Sequence, residues 1–130
     1  MLDPTVPVLI DTSCWIEALR RNGVESVRRR VVELTESGRA RFADIVRLEL
    51  WNGARGKEQQ QFLSGLETIA VPTVPTTEEV WRQARGLARQ ARAAGVTVQA
   101  ADLLLFASAR VHNLELYSCD GHFELLASLP

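Results

Sequence analysis

Val6-Pro7-Val8-Leu9-Ile10-Asp11-Thr12-Ser13 is a short apolar run that ends in a carboxylate followed by two hydroxyls. It is far too short to span a membrane, and its β-branched content is that of a buried strand. In an open parallel sheet, ligands gather beyond the carboxyl ends of the strands. Asp11 is therefore expected at a chemically useful strand end, and the question for the rest of the chain is which other carboxylates reach it.

Working outward, strands and helices are expected to alternate. A capped helix opens at Ser13 and runs from Cys14 to about Arg20, and a second runs from about Val24 to Ser37 with Gly38 as its stop. Ala40 to Ala43 reads as a second strand, with Asp44 as the N-cap of a helix to about Ala54. Glu58 to about Leu66 reads as a further helix, and Thr68-Ile69-Ala70-Val71 as a third strand closed by Pro72. Thr76 and Glu79 have capping-box spacing ahead of a helix over about 78–94, stopped by Gly95. Residues 100–111 form an apolar helix, 114–118 a fourth strand and 123–127 a last short helix. The expected architecture is α/β: one domain over 1–130, with a central parallel sheet of four to five short strands covered by helices on both faces.

The 130 residues suffice for one sizeable core. No basic, apolar leader opens the chain and no run approaches membrane-helix length, so the cytoplasm is the expected location, with no membrane partner. Cys14 and Cys119 are two free thiols, expected to be buried or half-buried, rather than a disulfide framework. With His122 they form at most a fragment of a zinc site. Charge is distributed unevenly. Residues 20–92 carry fourteen bases against nine acids, and all but Lys57 of those bases are arginine, the side chain suited to bidentate phosphate recognition.

Most acids have a simple reading as helix-surface partners or first-turn residues. Four resist it. Asp11 ends the first strand. Glu49 has Ile45, Val46, Asn52 and Gly53 at its helical neighbour positions, none of them basic. Asp102 lies in the most apolar helix, and Asp120 closes the fourth strand as Asp11 closes the first. Each alone has a plain alternative: Asp11, Asp102 and Asp120 as cap or turn residues, and Glu49 as the partner of an arginine on another element. Together they are costly to bury unless a cation compensates, and an all-oxygen set suits Mg²⁺ or Mn²⁺ rather than zinc. Arg82, Arg85, Arg89 and Arg92 form a stripe on one helix face, able to track a phosphate backbone or merely to solvate the helix.

Leu9-Ile10-Asp11-Thr12-Ser13, Leu48-Glu49-Leu50-Trp51-Asn52-Gly53, Ala101-Asp102-Leu103-Leu104 and Ser118-Cys119-Asp120-Gly121-His122-Phe123 come in the order and approximate spacing of a PIN domain. Over essentially its whole length the chain resembles the VapC-type toxins of type II toxin–antitoxin pairs. The resemblance implies a Mg²⁺- or Mn²⁺-dependent endoribonuclease, acting on transfer or ribosomal RNA, that forms a homodimer and is neutralised by a cognate antitoxin. Carried over, Asp11, Glu49, Asp102 and Asp120 are the catalytic, metal-holding quartet, and Ser13 and Ser118 are supporting hydroxyls. Cys119, in place of a more usual polar or basic residue, and the bulky Leu104-Leu105-Phe106 depart from the pattern.

The expected chemistry is metal-assisted phosphodiester hydrolysis, with Glu49 or Asp120 orienting water and His122 not counted in the machinery. An aspartyl-nucleophile phosphatase would want a second acid where Ser13 stands, and a phospho-acceptor domain would want a lysine late in the chain, where Lys57 is not. The non-enzymatic alternative is a binding module whose acidic pocket meets a basic partner.

Overall fold

The computed structural model describes residues 5–129. Its elements, in chain order, are β1 (Val8–Ile10), α1 (Thr12–Leu19), α2 (Glu25–Glu36), β2 (Ala40–Ala43), α3 (Asp44–Gly53), α4 (Gly56–Thr68), β3 (Thr73–Val74), α5 (Glu78–Ala93), α6 (Ala100–Val111), β4 (Glu115–Tyr117) and α7 (His122–Ala127). The sheet has the order β3-β2-β1-β4 and every pair is parallel. Val8 pairs with Ala40 on one side and Glu115 on the other, and Ile10 pairs with Tyr117. β1 and β4 therefore deliver Asp11 and Ser118 side by side at the carboxyl edge.

Strand β1 is central because nothing in it wants water. Val8, Leu9 and Ile10 are all buried, as are Phe42 and Ala43 of β2. Trp15 of α1 stacks on Phe42 with ring centroids 4.6 Å apart, and the Arg47 guanidinium lies over the same Phe42 ring. Helix α6 buries Leu103, Leu104, Leu105, Ala107 and Ala109, as its all-round apolar sequence requires. Each large aliphatic or aromatic side chain enclosed this way contributes roughly 1.5–3 kcal/mol. Gly38 and Gly95 end their helices with φ of 78° and 72°, conformations that a side chain would strain.

The structure corrects the sequence reading at four places. The sheet has four strands among the described residues, within the expected four to five. The third is Thr73–Val74, not 68–71: α4 continues to Thr68, and the Ile69 N–H caps it on the Leu66 carbonyl. Pro72 lacks a donor but its carbonyl accepts from Phe42 N–H at 2.9 Å, so a proline-flanked segment still joins the ladder at its edge. Helix α1 is capped by Asp11, whose carboxylate accepts from Thr12 N–H, so Ser13 is not the cap. Helix α3 takes Ala43 as N-cap with Asp44 already in its first turn. Helix α5 is capped by Thr77, whose hydroxyl accepts from Val80 N–H, rather than by a Thr76–Glu79 box; Glu79 is drawn instead to Arg82.

Candidate active site

Asp11 is 4% exposed and accepts three hydrogen bonds. Thr12 N–H donates to Oδ1 at 2.8 Å, while the hydroxyls of Ser13 and Ser118 donate to Oδ2 at 2.7 and 2.9 Å. Among the described residues no cation pairs with it. The two hydroxyls occupy Oδ2, and Oδ1 keeps acceptor capacity beyond the Thr12 bond. An ionised carboxylate enclosed without a counter-charge is costly, and hydrogen bonds offset only part of that cost.

Thr12 also reaches across the site. Its hydroxyl donates to Glu49 Oε1 at 2.8 Å, tying the end of β1 to α3. The Glu49 carboxyl is raised above its ordinary value. Partial desolvation is the main cause, the Thr12 hydrogen bond opposes it, and the negative charges of Asp11 and Asp102 add to it. Three of the four acids singled out from sequence are thus brought within electrostatic reach of one another. Asp102 sits in the first turn of α6, where the helix dipole favours an anion.

Asp120 enters through its backbone, its N–H donating to Ser118 Oγ at 3.2 Å. Ser118 thereby links Asp120 to Asp11. Only Asp11 of the quartet is fully enclosed: Asp102 and Asp120 are half-buried and Glu49 is exposed. The sequence argument from shared burial therefore applies fully to one acid, and mutual charge is what joins Glu49 and Asp102 to it.

The donor set fits a hard divalent ion. The residues are carboxylates, with hydroxyls behind them. Among the described residues, no three or more His, Cys, Asp or Glu side chains are grouped closely enough to hold a metal ion by themselves. The His122 side chain lies outside the described residues.

Cys14 is fully buried and Cys119 exposed, against the expectation that both would be buried or half-buried. Their sulfurs lie 3.1 Å apart. Burial pushes the Cys14 thiol well up, and its hydrogen bond with Cys119 adds to the effect. Neither this contact nor the Thr12–Glu49 bridge was anticipated. The only signal was the position of each residue inside a motif already quoted for its acid.

The arginine stripe divides in two. Arg82 pairs with Glu79 and Arg85 with Glu78, neutralising half of it on its own helix. Arg89 and Arg92 instead line a groove of about 520 Å³ with Gly95, Val96 and Leu103, the last adjacent to Asp102 in sequence. Trp51 and Trp81 are exposed, Trp51 donating its ring N–H to Glu67 Oε1 at 3.2 Å. Among the described residues, no helix is long and apolar enough to cross a membrane.

Comparison with known proteins shows the family. The PIN domain family model matches residues 8–129. Ribonuclease VapC11 of Mycobacterium tuberculosis is 30% identical over 125 residues, covering 94% of this chain and 92% of the relative. In solved structures, VapBC2 from Rickettsia felis superposes with a TM-score of 0.76 at 17% identity, covering 95% of this chain and 92% of that one. The sarcin–ricin-loop-cleaving toxin VapC20 of Mycobacterium tuberculosis superposes with a TM-score of 0.70 at 21% identity, covering 95% and 96%. A sheet that sets Asp11 against Glu49 and Asp102, a whole-domain family match and a full-length ribonuclease relative agree: the chain belongs to the PIN domain family, among the VapC ribonucleases.

Proposed function

We propose that the chain is a Mg²⁺- or Mn²⁺-dependent endoribonuclease, the toxin of a pair whose cognate antitoxin silences it. The observation that carries this reading is the enclosed Asp11 carboxylate, with no cationic partner among the described residues, beside two further acids whose charges bear on one another. Asp11, Glu49, Asp102 and Asp120 would hold the metal, which would supply charge neutralisation at the scissile phosphate and a more acidic water. Ser13 and Ser118 fix the Asp11 carboxylate by donating to Oδ2.

Thr12 ties Glu49 to the end of β1 that carries Asp11. Glu49 orients the attacking water and takes its proton. Arg89 and Arg92, the two stripe members outside the Glu78 and Glu79 ion pairs, hold the RNA backbone along the α5–α6 groove.

The antitoxin is supported by likeness to VapBC complexes and by a groove of about 650 Å³ among α1, α3 and α4, lined by apolar and charged side chains together. Ile16 and Phe62, 43% and 52% exposed, stand on its walls, with Glu49 at its edge. A homodimer is the expected assembly, with exposed Trp81 on α5 available to a second copy. The test is RNA cleavage by the purified chain with Mg²⁺, with Mn²⁺ and with chelator, followed by sequencing of the new ends. Metal-dependent cuts that vanish in Asp11→Asn and Asp102→Asn support the reading. Equal cleavage in chelator or in either variant overturns it.

A further inference from the structure

Two motifs that each deliver an acid to the site also each carry a cysteine, and these are the chain's only cysteines. Cys14 follows Asp11-Thr12-Ser13, and Cys119 lies between Ser118 and Asp120. Their Sγ atoms are 3.1 Å apart, whereas a disulfide spans about 2.05 Å, so bonding needs an approach of only about 1 Å. The residues are already in register. Cys119 N–H donates to Ser13 Oγ at 3.1 Å, and the Cys14 thiol donates to the Tyr117 carbonyl at 3.5 Å. The two residues differ in exposure: Cys119 is exposed and Cys14 has no accessible surface. An entering oxidant meets Cys119 first, and the sulfur that resolves the adduct waits behind it.

We infer that Cys14 and Cys119 form a reversible dithiol–disulfide pair, closed by exchange with a low-molecular-weight disulfide, and that closing it weakens the metal site. The pair stands on its own geometry, while its effect on metal rests on the function proposed above. In the first exchange the Cys119 sulfur attacks the reagent's S–S bond. One reagent thiolate leaves and takes up the proton that Cys119 gave up, and a mixed disulfide remains on Cys119. The Cys14 sulfur, losing its proton, then attacks Cys119 Sγ and expels the second reagent thiolate, which leaves as a thiol. Two protein thiols are oxidised and one reagent disulfide is reduced to two thiols.

The consequence for the site follows from chain connectivity. Pulling Cys119 toward α1 drags Ser118 and Asp120, its covalent neighbours. Ser118 Oγ sits 2.9 Å from Asp11 Oδ2 and 3.2 Å from Asp120 N, so a shift of this size takes those bonds out of hydrogen-bonding range or re-aims them. Groups that orient a metal ligand in this way are worth about 10–100-fold in metal affinity.

The experiment treats the reduced full chain with oxidised glutathione and reads intact mass, free thiols and Mn²⁺ affinity by calorimetry. The expected product has lost two hydrogens and both thiols and carries no adduct. It reverts with dithiothreitol and binds Mn²⁺ at least about tenfold more weakly than the reduced chain. Cys14→Ala should keep a glutathione adduct on Cys119, and Cys119→Ser, at an exposed position that folding tolerates, should take up none. A lasting adduct on the unmodified chain, or a disulfide-linked dimer, overturns the pair. An internal disulfide with unchanged Mn²⁺ affinity overturns its effect on the site. If the reduced chain binds no Mn²⁺, the metal reading and the coupling to it fall together, and the mass measurement still decides the pair.

Discussion

The carboxyl edge of the sheet and the outer face of α5 are both crowded with like charge, and they handle it in opposite ways. On α5, Arg82 and Arg85 are answered by Glu79 and Glu78 on the same helix. At the sheet edge, Asp11 is answered by three hydrogen bonds and no cation among the described residues, and Glu49 has its proton affinity raised by partial desolvation first and by its acidic neighbours second. A charge answered locally stabilises the element that carries it. A charge left facing others of its own sign is where we propose that the ligand binds.

The sharpest way to break this contrast is Asp11→Asn. If the edge is built for a divalent ion, the variant should lose cleavage by about a hundredfold or more, beyond what an outer-shell group is worth. It should also lose the rise in thermal stability that Mn²⁺ gives the native chain, read by melting with and without metal. A variant still stabilised by Mn²⁺ would place the ion elsewhere.

On α5 the contrast lies within the stripe. Converting Arg89 and Arg92 together to Gln should weaken RNA binding about tenfold at low salt and flatten the salt dependence by roughly one unit per lost phosphate contact. The same change at Arg82 and Arg85 should do less, because those charges are already paired. Equal effects from both pairs, measured by salt titration of RNA binding, would show that local pairing does not matter.

Thr12→Val tests the bridge between the two halves of the site. Removing one hydrogen bond of about 1 kcal/mol should slow cleavage about fivefold and push the Glu49 carboxyl further up, seen as an alkaline shift in the acid limb of the pH–rate profile. An unchanged profile would remove Glu49 from the chemistry.

The smallest effect is on stability without metal. The folded chain holds the Glu49 proton more tightly than the unfolded chain does, so its contribution is present in acid and is lost as pH rises through the raised folded value. Glu49→Gln should flatten that decline by less than about 1 kcal/mol, since solvent screens an exposed carboxylate. Chemical denaturation across that pH range in chelator is the measurement.

The sequence made the strand ahead of Asp11 plain, because Val8, Leu9 and Ile10 are buried on both faces and read as an unbroken apolar run. It also singled out Glu49 as a candidate, since no base stands at its helical neighbour positions. It misplaced β3 because Ile69 and Val71 look more strand-like than a Thr–Val pair between prolines. The ladder there needs only the Pro72 carbonyl and two residues, which no local propensity announces. The Thr12–Glu49 bridge and the Cys14–Cys119 contact were hidden for a different reason. They join positions 37 and 105 residues apart, and only the parallel register of the sheet brings such positions together.

The prolines around β3 have a further consequence. That border of the sheet is two residues long, with Pro72 before it and Pro75 after it. It offers an incoming chain almost no free backbone to pair with, and an added strand there would stop at once. On this side the molecule is closed to strand exchange and fibril-like stacking. Whatever approaches from there must be gripped by helix side chains, where recognition is a matter of shape and sequence rather than of bare peptide backbone.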